Sequence, residues 1–229
     1  MLLQSVGTFT EGAGVSTGTP VSLFSGASVS TIETGQLIKS LTFTVGNVLD
    51  STEQVNVDGS TISLTNLANG TTTTNGMTYS VTVSGGTATI VLTKAAGVSS
   101  ANIGTLINGL SYQNTSDDPT AGARTVSLTQ IIDTGGVANG GVDTKNVAIS
   151  STVNVTPVND APTLSATAVG GTFTEGAGVS TGTPVSLFSG ASVSTIEAGQ
   201  LIKSLTFTVG NVLDSTEQVN VDGTAYFPC

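Results

Sequence analysis

The chain has 229 residues with 15 acidic and 5 basic side chains, a formal net charge of −10, and a mean hydropathy of +0.28. Its five cations (Lys39, Lys94, Arg124, Lys145 and Lys203) are scattered and form no patch to neutralise phosphates, which argues against nucleic acid as a partner. Histidine is absent and the single cysteine is Cys229, which removes Cys/His zinc sites, Cys–His nucleophile pairs and Ser-His-Asp triads.

Taken in chain order, Met1-Leu2-Leu3 lacks a basic region and Gln4 interrupts the apolar run, so no N-terminal signal peptide is expected. Export from the C-terminal end, or a piece of a longer protein, is the expectation that follows. No apolar run approaches the roughly twenty residues needed to span a bilayer, so membrane insertion is not expected. Apolar and polar residues then alternate with a period of two at Leu41/Phe43/Val45, Val55/Val57, Ile62/Leu64, Val81/Val83, Ile90/Leu92 and Val126/Leu128. The longest such run is Val147/Ile149/Val153/Val155. Turn clusters separate them, as at Leu67-Ala68-Asn69-Gly70 and Val83-Ser84-Gly85-Gly86-Thr87. One segment has a different period: Ile103, Leu106, Ile107 and Leu110 fall at i, i+3, i+4 and i+7 behind Ser99-Ser100, which predicts a short capped helix. The positive hydropathy and this alternation argue against disorder, despite the Gly/Ser/Thr-rich composition. The expected fold is all-β, a two-sheet antiparallel sandwich with one short helix.

Residues 7–59 recur at 171–223 with 52 of 53 positions identical, the difference being Thr34 against Ala198. An offset of 164 residues is too long for a solenoid or propeller unit and suits a whole domain per repeat. The expected organisation is therefore a nearly complete repeat at 1–157, a linker Val-Asn-Asp-Ala-Pro-Thr at 158–163, and a truncated second repeat at 164–229. The second repeat is expected to fold poorly alone.

Three groups of motifs carry a resemblance. Val155-Thr156-Pro157-Val158-Asn159-Asp160-Ala161-Pro162-Thr163 resembles the linker between bacterial cadherin-like repeats. Phe9-Thr10-Glu11-Gly12 with Gly18-Thr19-Pro20-Val21 resembles their first strand, and recurs at Phe173-Thr174-Glu175-Gly176 and Gly182-Thr183-Pro184-Val185. The stretches 110–126 and 133–143 resemble repeats of large type-I-secreted, RTX-like surface adhesins. The resemblance implies an Ig-like or cadherin-like tandem repeat, extracellular on a bacterial surface. It would serve there as a stalk in cell adhesion or biofilm formation, without enzymatic activity. Its partners would be neighbouring repeats, with cell-surface or matrix ligands reached through other domains.

The resemblance also implies calcium at the joint, held by Glu11, Asn159 and Asp160, with Glu175 serving the next one. Calcium takes six to eight oxygens, so Asp117, Asp118, Asp133 and Asp143, all in turns, are further candidates. The pattern departs from the family at residues 25–33, where an Asp-x-Asp is missing and only Glu33 offers a carboxylate. Each candidate has a plainer reading. Asp160 suits an Asx-turn before Pro162, Glu11 and Glu175 suit a solvated strand edge, and Asp117-Asp118-Pro119 suits a turn. Two other functions remain open at this level, an accessory carbohydrate-binding module of a secreted hydrolase and a subunit of a self-assembling surface filament or layer. Asp50 with Glu53 is the only close carboxylate pair outside turns, and no tryptophan accompanies it as a sugar platform.

Overall fold

The structure is a computed structural model that describes every residue except Met1, Leu2, Ser5, Val15, Ser16, Val179, Ser180, Pro228 and Cys229. It is mostly β, with one α-helix among the described residues, and it divides into two units. The first comprises Met1–Thr163 with Ile196–Ala198, the second Leu164–Thr195 with Gly199–Cys229.

In chain order the first unit contains β1 (Leu3–Gln4), β2 (Val6–Thr10), β3 (Val21–Ser22), β4 (Phe24–Ser25), β5 (Ile38–Gly46), β6 (Glu53–Val57) and β7 (Ser60–Ser63). Then come β8 (Asn69–Thr71), β9 (Thr78–Ser84), β10 (Thr87–Val98), α1 (Ser100–Asn108), β11 (Ser111–Asn114), β12 (Gly122–Asp133) and β13 (Thr144–Thr156). Seven strands form one sheet in the order β2-β13-β12-β5-β10-β9-β8, and four form another in the order β3-β11-β6-β7. Neighbours within each sheet run antiparallel, except that β2 lies parallel to β13, with Phe9 opposite Val155.

The expected alternation is present. Val55 and Val57 of β6 are buried while Gln54 and Asn56 are half-buried, and Phe43 and Val45 of β5 are buried beside half-buried Thr42 and Thr44. Both sheets contribute to one apolar cluster, which includes Phe43, Ile90 and Leu92 from the larger sheet and Val55, Ile62 and Tyr112 from the smaller. Phe9 meets Tyr112 edge-on, with ring centroids 5.8 Å apart at 87°. The β9–β10 hairpin turns on Gly85 and Gly86, at φ 56° and 72°, the left-handed pair that matches strand twist. The helix forms where its period placed it. Ser99 Oγ accepts the Asn102 N–H at 3.2 Å, and Ile103, Leu106 and Ile107 are buried. One expected turn is partly strand, since Asn69–Thr71 of the Leu67–Gly70 region pairs along β9 as the edge strand β8.

The second unit contains β14 (Thr163–Ala168, whose first residue closes the first unit) paired with β15 (Phe188–Ser194), and a hairpin of β16 (Val219–Val221) with β17 (Thr224–Tyr226). Its sequence is almost that of residues 7–59, yet residues 202–210 form no strand where residues 38–46 form β5. Phe207 is half exposed, whereas its counterpart Phe43 is fully buried. Local features do persist. Asp222-Gly223 turns at φ 50° and 74°, as Asp58-Gly59 does at 52° and 77°, and Val219 faces Tyr226 in the register in which Val55 faces Ile62. Turns are encoded within a few residues, whereas β5 requires its neighbours β10 and β12, which lie outside the duplicated block.

Candidate metal centre

A buried polar network lies beneath the loop that carries Asp117 and Asp118. Arg124 is fully buried, with Nε 3.0 Å from Glu53 Oε2, Nη2 3.0 Å from Glu53 Oε1, and Nη2 also 2.9 Å from the Thr120 carbonyl. Tyr112 donates to Glu53 Oε2 at 2.9 Å. Glu53 Oε1 also accepts the N–H groups of Leu49 and Asp50 at 2.7 and 2.9 Å. Asp50 in turn accepts from Thr120 N at 2.9 Å, Thr120 Oγ1 at 2.6 Å and Asn114 Nδ2 at 2.8 Å. Burial opposes the charge on Arg124, but its bonds and attraction to Glu53 more than offset this, so its pKa lies above the ordinary guanidinium value. Burial, and then the charge of Glu53, raise the Tyr112 pKa above the usual phenol value. Asp50 and Glu53 are thus held as structural acceptors, and the 115–121 loop is anchored at Thr120.

Glu11 and Asp160 come together near this loop. Glu11 is 5% exposed and accepts the Val158 N–H through Oε2 at 2.8 Å. Asp160 is 2% exposed and accepts the Gly14 N–H through Oδ1. Its own N–H donates to the Glu197 carboxylate, and Asn159 Nδ2 donates to the Asp160 carbonyl at 3.1 Å. Glu11 Oε1 and Asp160 Oδ2 are buried and have no hydrogen-bond partner. Two such oxygens on neighbouring acids are costly to bury unless a cation or proton offsets them.

The Glu11 pKa is accordingly raised, first by burial and then by Asp160, Asp117 and Asp118, against the lowering effect of the Val158 N–H. The folded state therefore holds a proton that the unfolded chain has already released, so metal-free stability falls as pH rises from about 4.5, the ordinary Glu value, through the raised value. Denaturant midpoints in chelator between pH 4 and 7 should show this decline, and E11Q should flatten it relative to wild type. An identical slope in E11Q would remove Glu11 as its source.

Of the other candidates, Asp117 and Asp118 lie near enough to Glu11 to raise its pKa, whereas Asp133, Asp143 and Glu175 do not join the pair. Asp118 accepts the Ala198 N–H at 2.9 Å. Asp133 Oδ1 accepts the Gly135 N–H at 2.7 Å, closing its own turn. Asp143 is ion-paired with Lys39 at 2.8 Å and accepts the Thr144 hydroxyl at 2.9 Å, and the Lys39 bond is first among the causes that lower its pKa. Asp133 ends β12 while the 115–121 loop precedes its start, a separation of about 36 Å at the usual strand rise. The structure therefore does not bring Asp133 and Asp143 to Glu11. Glu175 is exposed in the second unit, unlike its duplicate Glu11.

Glu197 is the carboxylate that the sequence reading did not select. The signal available was its counterpart Glu33, the only acid in the stretch where the family pattern has Asp-x-Asp. Among the described residues, no three Asp, Glu, His or Cys side chains stand together as a ready-made metal group. The fit to calcium thus rests on the Glu11–Asp160 pair and its orphaned oxygens, with Asp117 and Asp118 near enough to act on Glu11 electrostatically. No protein-family model matches the chain, and no curated protein or solved structure shows significant similarity to it.

Proposed function

We propose that this chain is a structural, non-enzymatic repeat from the stalk of an extracellular bacterial adhesin. In this reading the two sheets of the first unit form a cadherin-like sandwich, and calcium fixes the Val158–Asp160 segment to it. The observation that carries the reading is the pair of buried, partnerless carboxylate oxygens on Glu11 and Asp160, located where the linker leaves the last strand. Glu11 and Asp160 would hold the ion, with Asp117 and Asp118 from the Thr120-anchored loop completing an all-oxygen set suited to a hard cation. Calcium would replace repulsion between these acids with attraction to a shared charge, turning a flexible acidic linker into a fixed one. Near-identity of the duplicated block supports a spacer role, since interchangeable spacers tolerate copying.

A carbohydrate-binding module would require a row of exposed aromatic rings. In the first unit Tyr112 is buried and Tyr79 packs half-buried against the core; exposed rings including Phe173, Phe188, Phe207 and Tyr226 stand in the second unit, and the first three are copies of the core residues Phe9, Phe24 and Phe43.

Thermal melting of the full chain in calcium and then in chelator tests the proposal. An ion that binds only the folded state raises the transition by mass action, about 2.7 kcal/mol at a hundredfold excess over Kd. The expected result is a transition several degrees higher in calcium than in chelator, with D160N insensitive to the metal. Identical melting with and without calcium would remove the metal from the proposal.

A further inference from the structure

We infer that residues 171–223 can occupy the place that residues 7–59 hold in the first unit, so that residues 60–157 act as one acceptor for two interchangeable segments of the same chain. The first support is identity at 52 of 53 positions, which makes the two segments equivalent in shape and polarity. The second is that residues 60–157 supply the surroundings which bury the first copy and which the second lacks. Phe9, Leu41 and Phe43 are fully buried in the first unit, whereas Phe173, Leu205 and Phe207 are half exposed or more.

The third support is that the second copy already carries the local geometry of the first. Glu217 Oε1 accepts the N–H groups of Leu213 and Asp214 at 2.9 and 3.1 Å, as Glu53 does with Leu49 and Asp50. The β16–β17 hairpin keeps the register of β6–β7. Docked on the acceptor, Glu217 would present to Arg124 the carboxylate that Glu53 presents now.

The connection permits the exchange. β2 pairs parallel with β13, so a substitute strand at 171–174 must start back beside the beginning of the paired stretch. A parallel return requires a dozen or more residues, and residues 157–169 span about 43 Å when extended, against about 17 Å for a five-residue strand. Each chain has two donors and one acceptor. Exchange between copies therefore buries nothing more than exchange within a chain, and it costs translational freedom. A short linker also holds its own segment at an effective concentration of the order of millimolar. Exchange within the chain wins. None of this depends on calcium or on the stalk reading.

Refolding and melting of full-length variants tests the inference. F207A should melt as wild type, F43A should lose a few degrees at most because the intact second copy takes over, and F43A/F207A should lose far more or fail to fold. F43A melting as low as the double variant, or failing to fold, would overturn it. A crosslink identifies the occupant. Thr8 lies opposite Asn154 in the β2–β13 register, and Thr172 is the duplicate of Thr8. With Cys229 replaced by serine, T8C/N154C should oxidise to a crosslinked monomer, and so should T172C/N154C carrying F43A. A crosslinked dimer from the latter, no crosslink from it, or no crosslink from either pair would overturn the inference.

Discussion

Arg124→Ala should destabilise the first unit by about 3–5 kcal/mol, the usual effect of removing one partner from a buried ion pair. The cost comes less from lost attraction than from what remains. Glu53 stays fully buried with its carboxylate next to Asp50, while the Thr120 and Gly122 carbonyls lose the donors that Arg124 gave them at 2.9 and 3.1 Å. Pairing R124M with E53Q should recover part of the loss, because glutamine still accepts the Leu49 and Asp50 N–H groups without leaving an uncompensated charge. Denaturant midpoints at pH 7 measure both effects. Equal stability of R124A and wild type would mean that the network is solvated in solution. Because Arg124 and Asp50 anchor Thr120, R124A should also weaken any calcium response by loosening the loop that carries Asp117 and Asp118.

Leu92→Ala should cost about 2–5 kcal/mol, the range for truncating a fully buried leucine. Leu92 sits in β10 between Leu41 of β5 and Tyr79 of β9 and has no solvent exposure. It also lies outside the duplicated block, so no second copy can replace it. Leu205→Ala in the second unit should change stability by no more than about 0.5 kcal/mol, as expected for an exposed side chain. Urea unfolding of both variants checks the contrast. A large loss in L205A would mean that Leu205 is packed in solution.

Much of the first unit was legible because its signals are local or periodic. Two-residue alternation placed the buried faces of β5, β6, β9, β10 and β12, and the spacing from Ile103 to Leu110 placed α1 behind its Ser99 cap. The parallel β2–β13 pairing carries no periodic signal, since alternation marks a strand but does not name its neighbour. The duplicated block makes the same point from within the molecule. The Asp-Gly turn and the Glu217 acceptor geometry form in both contexts, whereas the sequence Leu-Thr-Phe-Thr-Val is a central strand in one and strandless in the other. Long-range pairing, not propensity, decides that outcome.

The candidate site was legible in part. Glu11 and Asp160 were selected by their positions in the opening strand and the linker, and the structure brings them together. Asp133 and Asp143 were candidates as acids in turns, but one closes its own turn and the other pairs with Lys39. Glu197 was missed because only its copy Glu33 was weighed, and no local signal says that Glu197 accepts the Asp160 N–H while Glu33 stays exposed. The Arg124–Glu53–Tyr112 network was also unread, because no spacing rule links residues 53, 112 and 124. Their meeting follows from β6 pairing with β11 and from both sheets contributing to one core.

Calorimetric titration of calcium into the chelator-stripped full chain tests the central claim most directly. The account predicts saturable binding of at least one ion per chain, with affinity of the order of 10⁻³ M or tighter, as in extracellular calcium modules. That heat should vanish in E11Q/D160N while its circular dichroism stays that of wild type. Absence of saturable heat in the wild-type chain, or the same heat in the folded double variant, would contradict it.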